Sequence, residues 1–272
     1  MAGSLAEPDP AVVTALRAAG CVYAEQEAAL LEEESRDGRD LPLMLTRRLS
    51  GEPLEQVLGW VEFCGLRIKL TPGVFVPRKR TEELVELAVK LASTLEDPPV
   101  VVDLCCGTGA IGVAVASSVP GTALHAADID PDAVACARLN VTGGQVHEGD
   151  LYDALPTGLR GRVDLLLVNA PYVPTDEIRL MPAEARQHEH HVALDGGVDG
   201  VEIHRRVAAG ASQWLAPGGS LLIETSRHQA TDTALACEAA GLQAEVFGPD
   251  DQGMTVVRAI SGPWHSSGTM TR

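Results

Sequence analysis

VVVDLCCGTGAIGVAVA, residues 100–116, decides the fold. Its opening VVVDLC is apolar apart from Asp103, the composition of a strand buried on both faces of a parallel sheet. The chain then turns through Gly107-Thr108-Gly109 and continues as GAIGVAVASSV, a helical stretch. Glycines at the turn let the backbone approach a ligand closely, and the following helix offers its N-terminal amides. Gly107, Gly109 and Gly112 also satisfy the G-x-G-x-x-G spacing of dinucleotide sites, so the loop alone leaves the ligand open. Asp103, ahead of the loop, favours a ligand with a positive group over a pyrophosphate.

Outward from this stretch the chain alternates strand and helix. ALHAADI (123–129), VHEGD (146–150), VDLLLVN (163–169), SLLIET (220–225), AEVFG (244–248) and MTVVRAI (254–260) read as further strands. PDAVACARLN, VEIHRRVAAGASQWL and TDTALACEAAG read as helices, the first with Pro131 placed in its opening turn. The pattern predicts an α/β fold, a seven-stranded, mostly parallel doubly wound sheet. Only PDDQG lies between the last two strands, too short for a parallel crossover, so the sheet is expected to end in an antiparallel hairpin.

Ligands of open α/β sheets bind beyond the carboxyl ends of the strands. Those ends carry the loop 103–109 with Cys105, Gly107, Thr108 and Gly109; Asp128 with Ile129; Asp150 with Leu151; and Asn169. Asp128 lies about 20 residues past the glycine loop, where a carboxylate holds ribose hydroxyls. Asp150 is a candidate for an adenine amino group. Each alone is also an ordinary turn residue. Four in register describe a site for S-adenosyl-L-methionine better than one for NAD.

Ahead of the sheet, residues 11–35 show two helical patterns, and LPLMLTRRLSGEP a third, closed by Gly51 and Pro53. WVEFCGLRIKL alternates around Gly65 as a β-hairpin. A helix is expected from Thr81, capped by its side chain, with Glu82 and Glu83 in the first turns. Glu96-Asp97-Pro98-Pro99 breaks the chain. The expected organisation is an N-terminal helical docking region (1–58), a hairpin linker with leading helix (59–98), a catalytic domain (99–262) and a disordered tail (263–272).

Composition narrows the function. No apolar run reaches the roughly 18 residues of a membrane span, and MAGSLAEPDP lacks the features of a secretory signal. The six cysteines suggest no disulfide framework, and a reduced, cytoplasmic monomer is expected. A formal net charge of −17 disfavours nucleic acid as a partner. His188-Glu189-His190-His191 has no cysteine or further acid in sequence to complete a metal site, so no metal is expected.

Several segments together resemble the protein-(glutamine-N5) methyltransferases, the release-factor glutamine methyltransferases. GEPLEQVLGWVEFCGLRIKLTPGVFVPRKRTEELVE (51–86) resembles the family's linker hairpin and its P-R-P-E-T-E segment. DLCCGTGAIGVAVA resembles its first adenosyl methionine motif and NAPYVP (169–174) its N-P-P-Y motif. ALDGGVDGVEIHRRV (193–207) resembles its A-L-x-G-G-x-D-G-L segment, and LAPGGSLLIE (215–224) the start of its fifth strand. The resemblance runs from about residue 20 to 260. It implies a class I adenosyl-methionine-dependent methyltransferase fold and methyl transfer to a glutamine amide of a protein, a peptide chain release factor being the expected partner.

The resemblance also assigns roles. The Asn169 side-chain oxygen and the Ala170 carbonyl would accept the two N–H hydrogens of the substrate amide, a poor nucleophile. This holds its nitrogen in line with the methyl donor. Pro171 fixes the turn, Tyr172 walls the planar amide, and Arg78 and Thr81 match the segment beside the cofactor. No metal or covalent nucleophile is needed, because the sulfonium is already activated. Three departures stand out. Ala170 replaces a proline, Lys79 and Arg80 replace P-E with reversal of a charge, and the N-terminal region is shorter by roughly a helix or two. The alternatives are adenine of nucleic acid or a small molecule as acceptor, or a non-catalytic cofactor-binding protein.

Overall fold

The computed structural model describes residues 7–248 and 255–262. Four helices open the chain: α1 (Pro10–Ala18), α2 (Ala24–Arg36), α3 (Leu41–Leu49) and α4 (Leu54–Leu58). Their apolar faces close on Leu16, Leu31, Met44 and Val57, a cluster separate from the sheet's. Aspartates cap two of them: Asp9 accepts from the Ala11 amide and Asp40 from the Leu43 amide. The third expected helix, closed by Gly51 and Pro53, is α3, which stops at Leu49; α4, which begins after Pro53, was not foreseen. Proline disfavours the helical conformation in the residue before it, which forces the break.

The hairpin is β1 (Trp60–Phe63) and β2 (Leu66–Lys69). Its turn residues Cys64 and Gly65 both have positive φ, 51° and 73°, the requirement of a type I′ turn. Asn140 fastens the hairpin to the glycine loop, with its Oδ1 accepting from the Lys69 amide and its Nδ2 donating to Lys69 and Thr108 carbonyls. A 3₁₀ turn at Lys79–Thr81 leads into α5 (Glu82–Ala92). Thr81 does not cap α5 with its side chain as expected; its hydroxyl donates to Glu224 instead, 2.7 Å away. Thr81 itself lies in the helical region, φ −66° and ψ −14°, as the end of the 3₁₀ turn, whereas a residue that caps with its side chain has an extended backbone.

The remaining elements are β3 (Val100–Leu104), α6 (Ala110–Ser118), β4 (Ala123–Asp128), α7 (Pro131–Asn140), β5 (Gln145–Glu148), β6 (Val163–Val168), α8 (Ala183–His188), α9 (Glu202–Ala211), β7 (Leu215–Thr225), α10 (Ala230–Ala239), β8 (Gln243–Phe247) and β9 (Thr255–Ile260). The sheet order is β5-β4-β3-β6-β7-β9-β8, parallel except for β9, which runs antiparallel to both neighbours. The expected terminal hairpin is therefore present; its PDDQG connection and the expected tail 263–272 lie outside the described residues. β7 begins five residues before the predicted SLLIET, because Leu215 already pairs with Val163 across an irregularity in β6. α8 and the short 3₁₀ turns between residues 151 and 193 were not foreseen.

Each sheet face carries its own apolar cluster. Val101, Leu165, Leu167 and Leu222 meet the hairpin, α5, α6 and α7 on one side. Val102, Leu104, Leu166, Val168, Leu221 and Ile223 meet α9 and α10 on the other. From β3 the chain winds out through β4 to β5, then returns to place β6 against the opposite edge of β3. The carboxyl ends of β3 and β6 thus flank the switch point, where open α/β sheets leave a crevice.

Candidate functional site

That crevice is a cavity of about 560 Å³. It is lined from the sheet side by Cys105–Thr108, Ala127–Asp130, Gly149–Leu151 and Asn169–Val173. Phe75, Arg78, Arg80 and Thr81 line it from the segment before α5, and Met181 and His191–Asp195 from the segment after β6. Arg78, Thr81, Cys105, Gly107, Thr108, Asp128, Ile129, Asp150, Leu151, Asn169, Ala170, Pro171 and Tyr172 therefore share one wall system. Asp103 and Gly109 stand behind it.

The glycine-loop half is built from backbone. Gly107 and Gly109 have φ of +54° and +75°, a region that costs other residues strain. Cys105, at φ +59°, carries that strain and Leu151 shares it at +48°. Gly109 ends in close quarters: a Cβ there would stand 3.0 Å from Val141. The Asp128 carboxylate accepts from the Gly107 amide at 2.8 Å and the Asp130 amide at 3.0 Å, tying the ends of β3 and β4 together. Burial pushes its pKa up, against those hydrogen bonds.

Asp103 is fully buried, with Oδ2 accepting from the Gly112 amide at 2.9 Å and Oδ1 without a partner. Burial, aided by the Asp128 charge, pushes its pKa up to about 7. An orphaned buried carboxylate oxygen behind a glycine cradle, with Asp128 and Asp150 spaced along apolar Ile129 and Leu151, fits a nucleoside ligand bearing a cationic group. Asp150 is held by Arg206 at 2.7 Å.

The other half is built from side chains sent by distant segments. The Asn169 Nδ2 lies 3.5 Å from the Thr81 Oγ1. The Tyr172 hydroxyl accepts from Arg80 Nη2 at 2.6 Å, and its carbonyl accepts from Gln229 Nε2 at 2.8 Å. Burial, then the Glu224 charge, raise the Tyr172 pKa. Ala170 is buried, packed in the α9–α10 cluster. Glu189 is buried as well and accepts from Arg78 at 2.5 Å and from the Val76 amide. That pair clasps the segment after α8 onto the segment before α5.

The histidine run is not a solvated loop throughout. His190 Nδ1 meets Asp130 Oδ2 at 2.6 Å, and its amide donates to the Gly73 carbonyl. Contrary to the reading that no further acid stands near, Asp130 and Asp132 come from 60 and 58 positions away to lie within ligand reach of His190. His191 is exposed beside Asp195.

The sequence reading missed Glu224. It sits at the carboxyl end of β7, the same edge as Asp103, Asp128 and Asn169, and is buried. The strand-end rule that picked the other stations, applied to SLLIET, would have found it. Nothing local would have found the Arg80–Tyr172 or Arg78–Glu189 contacts.

The sheet order, antiparallel β9 and crevice define a class I methyltransferase fold. A methyltransferase from Pyrococcus furiosus has the same architecture, with a TM-score of 0.53 at 14% identity over 73% of this chain and 90% of that one. The methyltransferase small domain family matches residues 65–188. The chain is 35% identical over 221 residues to the release factor glutamine methyltransferase of Bifidobacterium longum, covering 76% of this chain and 75% of the relative. It belongs to the release factor glutamine methyltransferase family. The relative of that name from Streptomyces coelicolor is 38% identical over 184 residues, 66% of this chain and 65% of its own length, so the match spans just under two thirds of that relative. A 4-amino-L-phenylalanine/4-methylamino-L-phenylalanine methyltransferase from Streptomyces pristinaespiralis is also 38% identical, over 67% of this chain and 64% of its own. Fold and family imply use of S-adenosyl-L-methionine. No helix among the described residues is long and apolar enough to cross a membrane.

Proposed function

We propose that the protein transfers a methyl group from S-adenosyl-L-methionine to a glutamine side-chain nitrogen of a peptide chain release factor. The observation that carries this is the convergence of Asn169, Ala170 and Tyr172 with the glycine loop and Asp128 on one cavity. Asp128, Asp150, Ile129 and Leu151 would hold the cofactor, with Gly107 and Thr108 giving it room and Asp103 bracing the glycine loop from behind through the Gly112 amide. Bound there, it supplies an activated methyl on a sulfonium. Asn169 Oδ1 and the Ala170 carbonyl accept the two amide hydrogens, which favours charge build-up on nitrogen and fixes its direction. Tyr172, held by Arg80 and Gln229, keeps the amide plane and excludes water. Residues 1–58 would dock the substrate, 59–98 connect, and 99–262 carry the chemistry, in the cytoplasm and as a monomer.

A second reading keeps the chemistry and changes the acceptor to a primary aromatic amine on an amino acid, as the name of the Streptomyces pristinaespiralis relative states for that protein. The observation that favours it is Arg80, a half-exposed cation beside the Tyr172 hydroxyl, which suits a small acceptor with a carboxylate. The test offers the protein and cofactor an unmodified release factor and, separately, 4-amino-L-phenylalanine, and weighs the products. One added methyl on the glutamine of the Gly-Gly-Gln loop supports the first reading. Methylation of the amino acid alone replaces it with the second.

A further inference from the structure

The acceptor half hangs on one buried carboxylate that is not itself on the cavity wall. Glu224, at the end of β7, is 1% exposed. Its Oε2 accepts from the Thr81 hydroxyl at 2.7 Å, and its Oε1 faces Arg80 Nε at 3.5 Å. Each of these partners reaches a different acceptor-side residue. Thr81 Oγ1 stands 3.5 Å from Asn169 Nδ2, and Arg80 Nη2 donates to the Tyr172 hydroxyl at 2.6 Å. The sequence separations are 143 and 144 residues for the Glu224 contacts and 88 and 92 for the next links, so three remote segments converge.

The polarity of the first arm follows from donor inventory. An ionised carboxylate only accepts, and a hydroxyl has one hydrogen to give. Thr81 gives it to Glu224, so toward Asn169 it offers lone pairs alone. An amide beside a lone pair turns its NH₂ that way. The Asn169 oxygen is then left on the other side of the amide, free to accept from a substrate N–H. Without the carboxylate, the Asn169 amide has no reason to prefer this face, and its NH₂ group would point at the substrate's own NH₂.

We propose that Glu224 is the positioning residue of the acceptor site, setting the Asn169 amide orientation through Thr81 and the Tyr172 ring through Arg80. This rests on the reading that Asn169 receives the acceptor nitrogen. Thr81 is thereby a relay of polarity rather than a cofactor ligand. Glu224 keeps this role only while ionised; burial raises its pKa, opposed by the Thr81 hydroxyl and the Arg80 charge.

Three variants test the claim in the full chain. Glu224→Gln keeps the shape but offers Thr81 a donor as readily as an acceptor, so the polarity is no longer fixed. Thr81→Val removes the relay, and Thr81→Ser restores it. Two readouts are followed: kcat with the acceptor, beside the dissociation constant for adenosyl methionine, and the NMR signals of the Asn169 side-chain NH₂. Glu224→Gln and Thr81→Val are expected to lower kcat by about 10- to 100-fold, the scale of a misoriented catalytic group, and to leave cofactor affinity alone. Both should shift the Asn169 NH₂ signals. Thr81→Ser should recover most of the loss, and the Glu224→Gln/Thr81→Val double variant should fall little below either single one. Folded variants with unchanged kcat and unchanged Asn169 signals would overturn the proposal. So would a loss of cofactor affinity as large as the loss in kcat. If the native protein methylates none of the acceptors offered, the proposed function fails, while the Asn169 signals still decide whether Glu224 orients that amide.

Discussion

The two halves of the cavity are held by different means. Around the glycine loop, neighbours in sequence do the work: left-handed glycines, strand-end aspartates and amides within about 21 positions of one another. Around Asn169, the work is done by Thr81, Arg80, Gln229 and Glu189, each meeting a partner 57 to 144 positions away. The first half is a local backbone shape. The second exists only once β7, α10, the segment before α5 and the segment after α8 have assembled. Cofactor binding and acceptor orientation should accordingly respond to different substitutions.

The strongest way to break the first half alone is Gly112→Val. A Cβ at that position would stand 2.7 Å from Leu124 Cδ1 and 3.0 Å from Asp103 Cβ, both buried between α6 and the sheet. The added side chain should push α6 off the sheet, cost about 1–3 kcal/mol as overpacking does, and abolish adenosyl methionine binding. Denaturant melts and calorimetric titration check both numbers.

Arg78→Met acts on the second half. It leaves Glu189 buried, with only the Val76 amide as donor and Oε2 already unpartnered. An unsatisfied buried polar group costs about 1–3 kcal/mol. Burial already raises the Glu189 pKa, opposed by the Arg78 charge, so the variant should take up a proton there. The expected result is a lower melting point and a raised KM for the acceptor, with KM for the cofactor changed less.

A pH series sharpens the comparison. The Asp103 pKa is raised from 3.8 to about 7 in the folded chain, so the folded state keeps a proton that the unfolded state releases. Its contribution to stability is full below about pH 3.8 and lost as pH rises through about 7. The slope of stability against pH in that window should flatten in Asp103→Asn, read from urea midpoints. A slope that steepens, or one identical in both proteins, would contradict the burial argument. The smallest effect is expected from Gln229→Leu, which removes hydrogen bonds to the Tyr172 and Asp199 carbonyls. About 1 kcal/mol of stability is at stake, with a modest rise in acceptor KM and none in cofactor affinity.

The same contrast explains what the sequence disclosed. The strand-loop-helix at 100–116, the alternation after it and the antiparallel end were legible because period, apolar runs and loop length are local properties. So were Gly107, Asp128, Asp150 and Asn169, since each ends a strand on one edge of the sheet. Asp103 was read as facing a ligand, yet it stands behind the wall and holds Gly112. Facing direction depends on strand twist and helix placement, which sequence spacing leaves open. Thr81 was read as a helix cap; the 3₁₀ turn that puts its backbone in the helical region, and its acceptor Glu224, 143 positions away, are not signalled by the residues around it. Arg80 was visible as a charge reversal, but its partner Tyr172 was not.

The central claim is that the cavity binds the cofactor with one half and orients the acceptor with the other. Its most direct test measures, in the same samples, the adenosyl methionine dissociation constant and the single-turnover methyl-transfer rate of the native protein and Asn169→Ala. The account predicts a dissociation constant within about 3-fold and a rate lower by about 10²- to 10³-fold, the loss seen when a preorganised polar group at a reacting centre is removed. A dissociation constant that weakens as much as the rate, or a rate that survives the substitution, would contradict it.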